Sequence, residues 1–191
     1  MIRLFIALPL PGPVEEALDR LIASLKPLTH AVRWVPAKNI HLTARFLGDT
    51  DEKLVPKIIQ SIDTVASEHT AFDTVLDRVG GFPHLKRPRV IWVGGAEPLE
   101  PAARIARQLE LRMRELRFAP EKRGFKAHLT LGRVREGQSL GPLAEHLEKL
   151  TFEPLPLHLA RLVLFESTLT PQGSIYERLH EASLGAERFS G

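Results

Sequence analysis

Apolar spacing along this chain switches repeatedly between the period of a helix and that of a strand. From Pro13 to Leu25 apolar residues fall at Val14, Ala17, Leu18, Leu21, Ile22 and Leu25, one face of a helix that Pro27 ends. A second helical stripe, Leu54, Val55, Ile58, Ile59, Ile62 and Val65, runs to Ala66, and Asp49-Thr50-Asp51-Glu52 ahead of it offers a cap and early-turn acids. Further helices are predicted over Pro98 to Leu116 and Gln138 to Leu150. Strands are predicted over Arg3 to Leu8, Val32 to Val35, Ile40 to Leu47, Phe72 to Val79, Val90 to Val93, Phe125 to Val134, Leu157 to Phe165 and Ser174 to Leu179. Gly80-Gly81 and Thr170-Pro171-Gln172-Gly173 read as turns, Phe82 to Arg89 as an exposed basic loop, and the polar tail from Glu181 as frayed.

The order is therefore β-α-β-β-α-β-β-α-β-α-β-β. Helices interrupt runs of strands instead of alternating with them, which predicts an α+β fold with mostly antiparallel sheets, not a doubly wound one. Gly/Pro punctuation from Gly94 to Pro98 marks a boundary between two halves of a single domain, residues 1–191. Beyond one tripeptide, the halves share too little sequence to establish a duplication.

That tripeptide is His-Leu-Thr, at His41-Leu42-Thr43 and again at His128-Leu129-Thr130. With eight His and ten Thr in the chain, chance places Thr two residues after His about 0.4 times. Side chains alternate across a strand, so each copy projects an imidazole and a hydroxyl from one face and packs aliphatics behind them. By the same alternation Arg45 and Lys126 share those faces, while Arg133 falls on the opposite one.

Composition narrows the class. A 43% hydrophobic and 26% charged chain is globular, not disordered. The absence of cysteine excludes disulfides and thiolate metal sites and suits a reducing cytoplasm. The apolar start, Met1 to Leu10, lacks the length and cleavage site of a signal peptide, and no stretch is long enough to span a bilayer. A net charge of +3 fits an anionic partner but falls short of a nucleic-acid-binding tail.

Two imidazoles across a cleft supply one base and one acid near neutral pH. Two threonine hydroxyls donate to the non-bridging oxygens of a phosphoryl group, and Arg45 and Lys126 supply positive charge. A zinc pair is the weaker reading, because no third His, Cys or carboxylate stands at ligand spacing in either motif. His30, His69, His84, His146, His158 and His180 lack a motif. Trp34 and Trp92 read as core residues, and Arg104, Arg107, Arg112 and Arg114 as a solvated helix face.

The paired tetrapeptides His41-Leu42-Thr43-Ala44 and His128-Leu129-Thr130-Leu131 resemble the His-x-Thr-x motifs of the two-histidine (2H) phosphoesterases. Within them the chain is similar to the RNA 2′,3′-cyclic phosphodiesterases once called 2′-5′ RNA ligases. Arg33-Trp34-Val35-Pro36, Arg45-Phe46-Leu47-Gly48, Pro88-Arg89-Val90-Ile91-Trp92 and Leu164-Phe165-Glu166-Ser167 extend the resemblance over nearly the whole chain. One departure is Phe125-Lys126-Ala127, where members commonly carry Phe-Arg-Pro; lysine keeps the charge and loses the bidentate fork.

The resemblance implies a bilobal, pseudo-symmetric α+β fold with a central cleft. It implies hydrolysis of a terminal ribose 2′,3′-cyclic phosphate to a 2′-phosphate, with 2′-5′ joining of tRNA halves as the reverse reaction. His41 would be the acid and His128 the base, in a monomer acting on RNA ends in the cytoplasm without membrane, metal or cofactor. Two rival readings are a non-catalytic RNA-end binding module and a 2H enzyme for another cyclic phosphate, such as ADP-ribose 1″,2″-cyclic phosphate.

Overall fold

In the computed structural model, which describes residues 1–95, 99–121, 124–171 and 173–185, the elements follow the predicted order with two strands added. They are β1 (Ile2–Pro9), α1 (Gly12–Leu25), β2 (Val32–Trp34), β3 (His41–Thr50), α2 (Val55–Glu68), β4 (Phe72–Leu76), β5 (Arg78–Phe82) and β6 (Val90–Gly94). There follow α3 (Glu100–Glu115), β7 (Leu129–Val134), α4 (Pro142–Lys149), β8 (Leu155–Leu159), β9 (Arg161–Thr170) and β10 (Gly173–Ser183). Asp51 caps a 3-10 turn ahead of α2, its carboxylate accepting from the Lys53 N–H at 3.0 Å.

The extra strands arise where one run of alternating residues serves two sheets. The run from Phe72 breaks at Asp77 into β4, which pairs with β8, and β5, which pairs with β6. The run from Leu157 breaks at Ala160 into β8 and β9 in the same way. Gly80 and Gly81 do not turn the chain; both lie inside β5, opposite Trp92 and Ile91. The Trp92 ring covers Gly80 so closely that a Cβ there would collide with it, so glycine is needed for close approach. Glu181 to Ser183 extend β10 instead of fraying, because they pair with Val163 to Arg161 of β9. Pro98, Gln172 and residues 186–191 lie outside the described residues.

The α+β expectation holds, and every strand pair among the named strands is antiparallel. One four-stranded sheet runs β10-β9-β1-β3, the other β2-β7-β6-β5, and β4-β8 form a small third sheet. The first sheet joins strands from the two ends of the chain, so the midpoint at Gly94 to Pro98 divides the sequence without dividing the sheets.

One continuous apolar core underlies both large sheets. Leu18 and Ile22 of α1, Ile58 and Ile62 of α2, and Ile105 and Leu109 of α3 pack with Leu4, Ile6 and Leu42 of the first sheet and Ile91, Leu129 and Leu131 of the second. Each such side chain contributes about 1.5–3 kcal/mol on burial. Because both sheets are anchored on the same core, the spacing of their opposite, front faces is fixed. On the first sheet that front face carries a smaller cluster, Phe5, Ala7, Val163 and Phe165, with Tyr176 against it.

Candidate active site

Two strand bulges decide which side chains face the front. In the β1–β3 pairing, Pro9 stands opposite His41 and Ala7 opposite Thr43, but Ile6 stands opposite Arg45, leaving Ala44 as an extra residue. The extra residue inverts the alternation beyond it. His41 and Thr43 therefore lie on the face of Ala7, and Arg45 on the face of Ile6, toward the helices. The expectation that Arg45 shares the cleft with Thr43 fails for this reason.

Arg45 is 6% exposed and spans to α3 and the loop after it. Its Nη2 donates to the Ala119 carbonyl at 2.6 Å, and its Nη1 to the Phe46 carbonyl at 2.8 Å and to Glu121 Oε2 at 3.2 Å. Its Nε lies 2.8 Å from Glu110 Oε2, an ion pair too bent to count as a hydrogen bond. Burial pushes the Glu110 carboxyl up, but hydrogen bonds from Arg114 and the Glu121 N–H, with the Arg45 charge, hold it below the ordinary range. This network ties the strand carrying the first motif to the segment that leads into the second.

The second motif has a matching irregularity of opposite effect. His128 immediately precedes β7, and in the β6–β7 pairing Trp92 faces Thr130 while Ile91 faces Gly132, so Leu131 is the extra residue. Arg133 is thereby carried to the face of Thr130. Sequence alternation had set it on the other side. Its placement is corroborated twice: it lines the same groove as His41, and its charge bears on His128.

Each imidazole is held in the same way. His41 Nδ1 donates to the Asn39 carbonyl at 2.8 Å, and His128 Nδ1 to the Lys126 carbonyl at 2.7 Å. A carbonyl only accepts, so Nδ1 carries the proton in both rings and Nε2 is the basic nitrogen. His41 stacks on Phe5 with centroids 4.6 Å apart and meets Tyr176 edge-on at 5.5 Å. His128 meets Phe82 edge-on at 4.9 Å, and Phe82 leans on Trp92 at 5.2 Å. Asn39 Nδ2 in turn donates to the Ser174 carbonyl at 2.9 Å, securing the first histidine's support to β10.

These surroundings disfavour the charged imidazoles. Burial lowers the His41 pKa, the Asn39 carbonyl opposes that, and the nearby His128 charge lowers it again, to about 4. Burial also lowers His128, against the pull of the Lys126 carbonyl, and the charges of Arg133 and Lys126 press it further down. The two rings are thus close enough for their charges to interact, and strands β3 and β7 approach within 8 Å at Cα positions.

A groove of about 820 Å³ opens from His41 and is lined by Arg33, Lys38, Arg133, Tyr176 and Arg178 among others. Lys126 is exposed beside His128, its Nζ 5.5 Å from the Phe82 ring centre. Of the other histidines, His69, His158 and His180 hydrogen-bond to Gln108, Asp73 and Asp63, none of which lines the groove. Arg107, Arg112 and Arg114 pair with acids of their own helix. Among the described residues no group of three His, Cys, Asp or Glu gathers as a metal site.

Two imidazoles in matched tautomers, each followed by a hydroxyl two residues on, carried by adjoining sheets of an α+β fold, define a two-histidine phosphoesterase. The family model for LigT-like phosphoesterase matches residues 8–92 and again 93–176, and the chain belongs to that family. It is an enzyme, a phosphodiesterase of the hydrolase class. Among its relatives is the RNA 2′,3′-cyclic phosphodiesterase of Aeropyrum pernix, 32% identical over 165 residues, 86% of this chain and 93% of that one. Among solved structures it is similar to TT0787 of Thermus thermophilus, with a TM-score of 0.79 and 28% identity over 97% of this chain and 99% of the other. Escherichia coli LigT complexed with 3′-AMP superposes with a TM-score of 0.73 and 25% identity, over 96% and 98% of the two chains.

Proposed function

We propose that the enzyme opens the terminal 2′,3′-cyclic phosphate of an RNA to a 2′-phosphomonoester, using protein groups and water alone. His128 Nε2 takes a proton from water as its oxygen attacks phosphorus. The P–O3′ bond breaks in line with the attack, and protonated His41 gives its Nε2 proton to the departing O3′. Thr43 and Thr130 donate to the non-bridging oxygens, and Lys126 and Arg133 balance the charge that accumulates there. With a ribose 5′-hydroxyl in place of water, the same forward steps join two RNA ends through a 2′-5′ bond, and run backwards they cleave that bond.

The observation that carries this reading is the matched pair of Nδ1-to-carbonyl bonds, which leave a basic Nε2 on each ring. The name of the Aeropyrum pernix relative favours RNA over other cyclic phosphates. The groove supports the division of roles. It opens at His41, and O3′ stays attached to the ribose, so a nucleoside lying there brings O3′ to His41 and leaves the opposite approach, beside His128, to water. Residues 1–191 act here as one domain and a monomer, and a chain without cysteine suits the cytoplasm.

Purified enzyme in chelator, given an oligoribonucleotide ending in a 2′,3′-cyclic phosphate, should yield a 2′-phosphate end. A 3′-phosphate product, or bound RNA with no turnover, would refute the scheme. The pH dependence follows from the lowered pKa values. The productive free enzyme holds one proton on the pair, and both groups titrate below 6.5. Hence kcat/KM should peak on the acid side of pH 6.5 and fall through neutrality. An anionic substrate raises both values, so the kcat optimum should lie at higher pH than that of kcat/KM. A kcat/KM still rising at alkaline pH would contradict this.

A further inference from the structure

Arg33 of β2 and Arg133 of β7 stand directly opposite one another in an antiparallel pair. Like charges in register across two strands repel, and stability alone favours an acid at one of the two positions. The other arginines within strands, Arg3, Arg45, Arg78, Arg161 and Arg178, are ion-paired. Among the described residues neither Arg33 nor Arg133 has an acidic partner. Both are exposed, and both line the groove that starts at His41.

The positive tract continues past them. Lys38 lines the same groove and, with Arg33, reaches an adjoining hollow of about 600 Å³. There Lys26 and Arg135 stand against one carboxylate, Asp19, as Arg33, Lys38, Arg133 and Arg178 stand against Glu15 in the groove itself. Along the groove's other wall Leu169 and Ile175 are 66% and 61% exposed, apolar surface against which an unstacked base can lie. Positive charge beside apolar surface, leading away from a phosphate-directed site, is complementary to a single strand of nucleic acid.

We infer that Arg133, Arg33 and Lys38 form a backbone tract for the single-stranded RNA that precedes the reacting end. The enzyme then favours an oligonucleotide over a cyclic mononucleotide with the same terminal base. The inference rests on the functional reading above, and its test separates the two. Binding of a labelled oligoribonucleotide with an unreactive 3′-phosphate end is followed by fluorescence anisotropy against salt concentration. It is compared across wild type, Arg33→Glu, Lys38→Glu and Lys57→Glu, the last making the same charge change on exposed α2.

Arg33→Glu and Lys38→Glu should each weaken binding roughly ten-fold and make the log–log salt slope shallower by about 0.7 for every phosphate no longer neutralised. The ratio of kcat/KM for oligonucleotide to cyclic mononucleotide should fall in step, while Lys57→Glu moves neither quantity by more than about two-fold. Wild-type affinity and slope in both groove variants, or an equal loss in Lys57→Glu, would overturn the tract. Absence of turnover by the wild type on either substrate would count against the activity, and the binding series would still decide the tract.

Discussion

Alanine at His41 or at His128 is expected to lower kcat/KM on a cyclic-phosphate substrate by roughly 10²–10⁴-fold each, the usual worth of a positioned acid or base. In the proposed mechanism the two imidazoles serve one displacement, so the double variant should lose little more than the worse single one. The residual pH profiles separate the roles. Without the acid, the decline of activity at high pH disappears; without the base, the decline at low pH does. His41→Ala should therefore abolish the alkaline limb and His128→Ala the acid limb. His41 stacks on Phe5 and its removal opens a hole, so His41→Asn and a thermal unfolding curve accompany it. Near-wild-type turnover in both folded variants would remove the proposed mechanism.

The largest expected stability effect lies away from the cleft. Arg45→Met should destabilise the protein by about 3 kcal/mol, read by urea unfolding, the low end of the range for breaking a buried pair. The variant leaves Glu110 largely buried with one of its two cations gone, and frees the Ala119 carbonyl. Arg114 still pairs with the other Glu110 oxygen at 2.7 Å, which is why the loss stays at that end. Adding Glu110→Leu removes the stranded carboxylate and should recover much of the stability. If Arg45→Met unfolds at the wild-type urea concentration, the network contributes nothing.

The two histidines and their threonines could be read from sequence because strand alternation is strictly local over three residues. Nothing beyond the tripeptide had to be known to set His41 with Thr43, or His128 with Thr130, on one face. Two residues beyond Thr43 and three beyond Thr130, the same rule failed. Arg45 turned away and Arg133 turned inward, because each strand has one more residue than its partner, at Ala44 and at Leu131. A bulge adds no residue type that a pattern can register. The missed strands have a similar cause: apolar alternation records burial, not which neighbour the backbone bonds to, so β4–β5 and β8–β9 each read as one strand. Gly80-Gly81 read as a turn because the ring that requires glycine there, Trp92, arrives from another strand. The support given by Phe5, Phe165 and Tyr176 to His41 was invisible for the same reason, since the last two lie more than a hundred residues away in the chain.

The sheet beneath His41 is completed by the final strands of the described chain, β9 laid beside β1, the first, and β10 beside β9. During synthesis β1 and β3 can pair early, but the wall that desolvates His41 must wait for Phe165 and Tyr176 to leave the ribosome. Contacts of such long sequence separation also make folding slow, since the loop must close before any bond rewards it. A nascent or truncated polypeptide therefore has both motifs but no assembled pocket, and should lack phosphodiesterase activity until translation has passed its last strand.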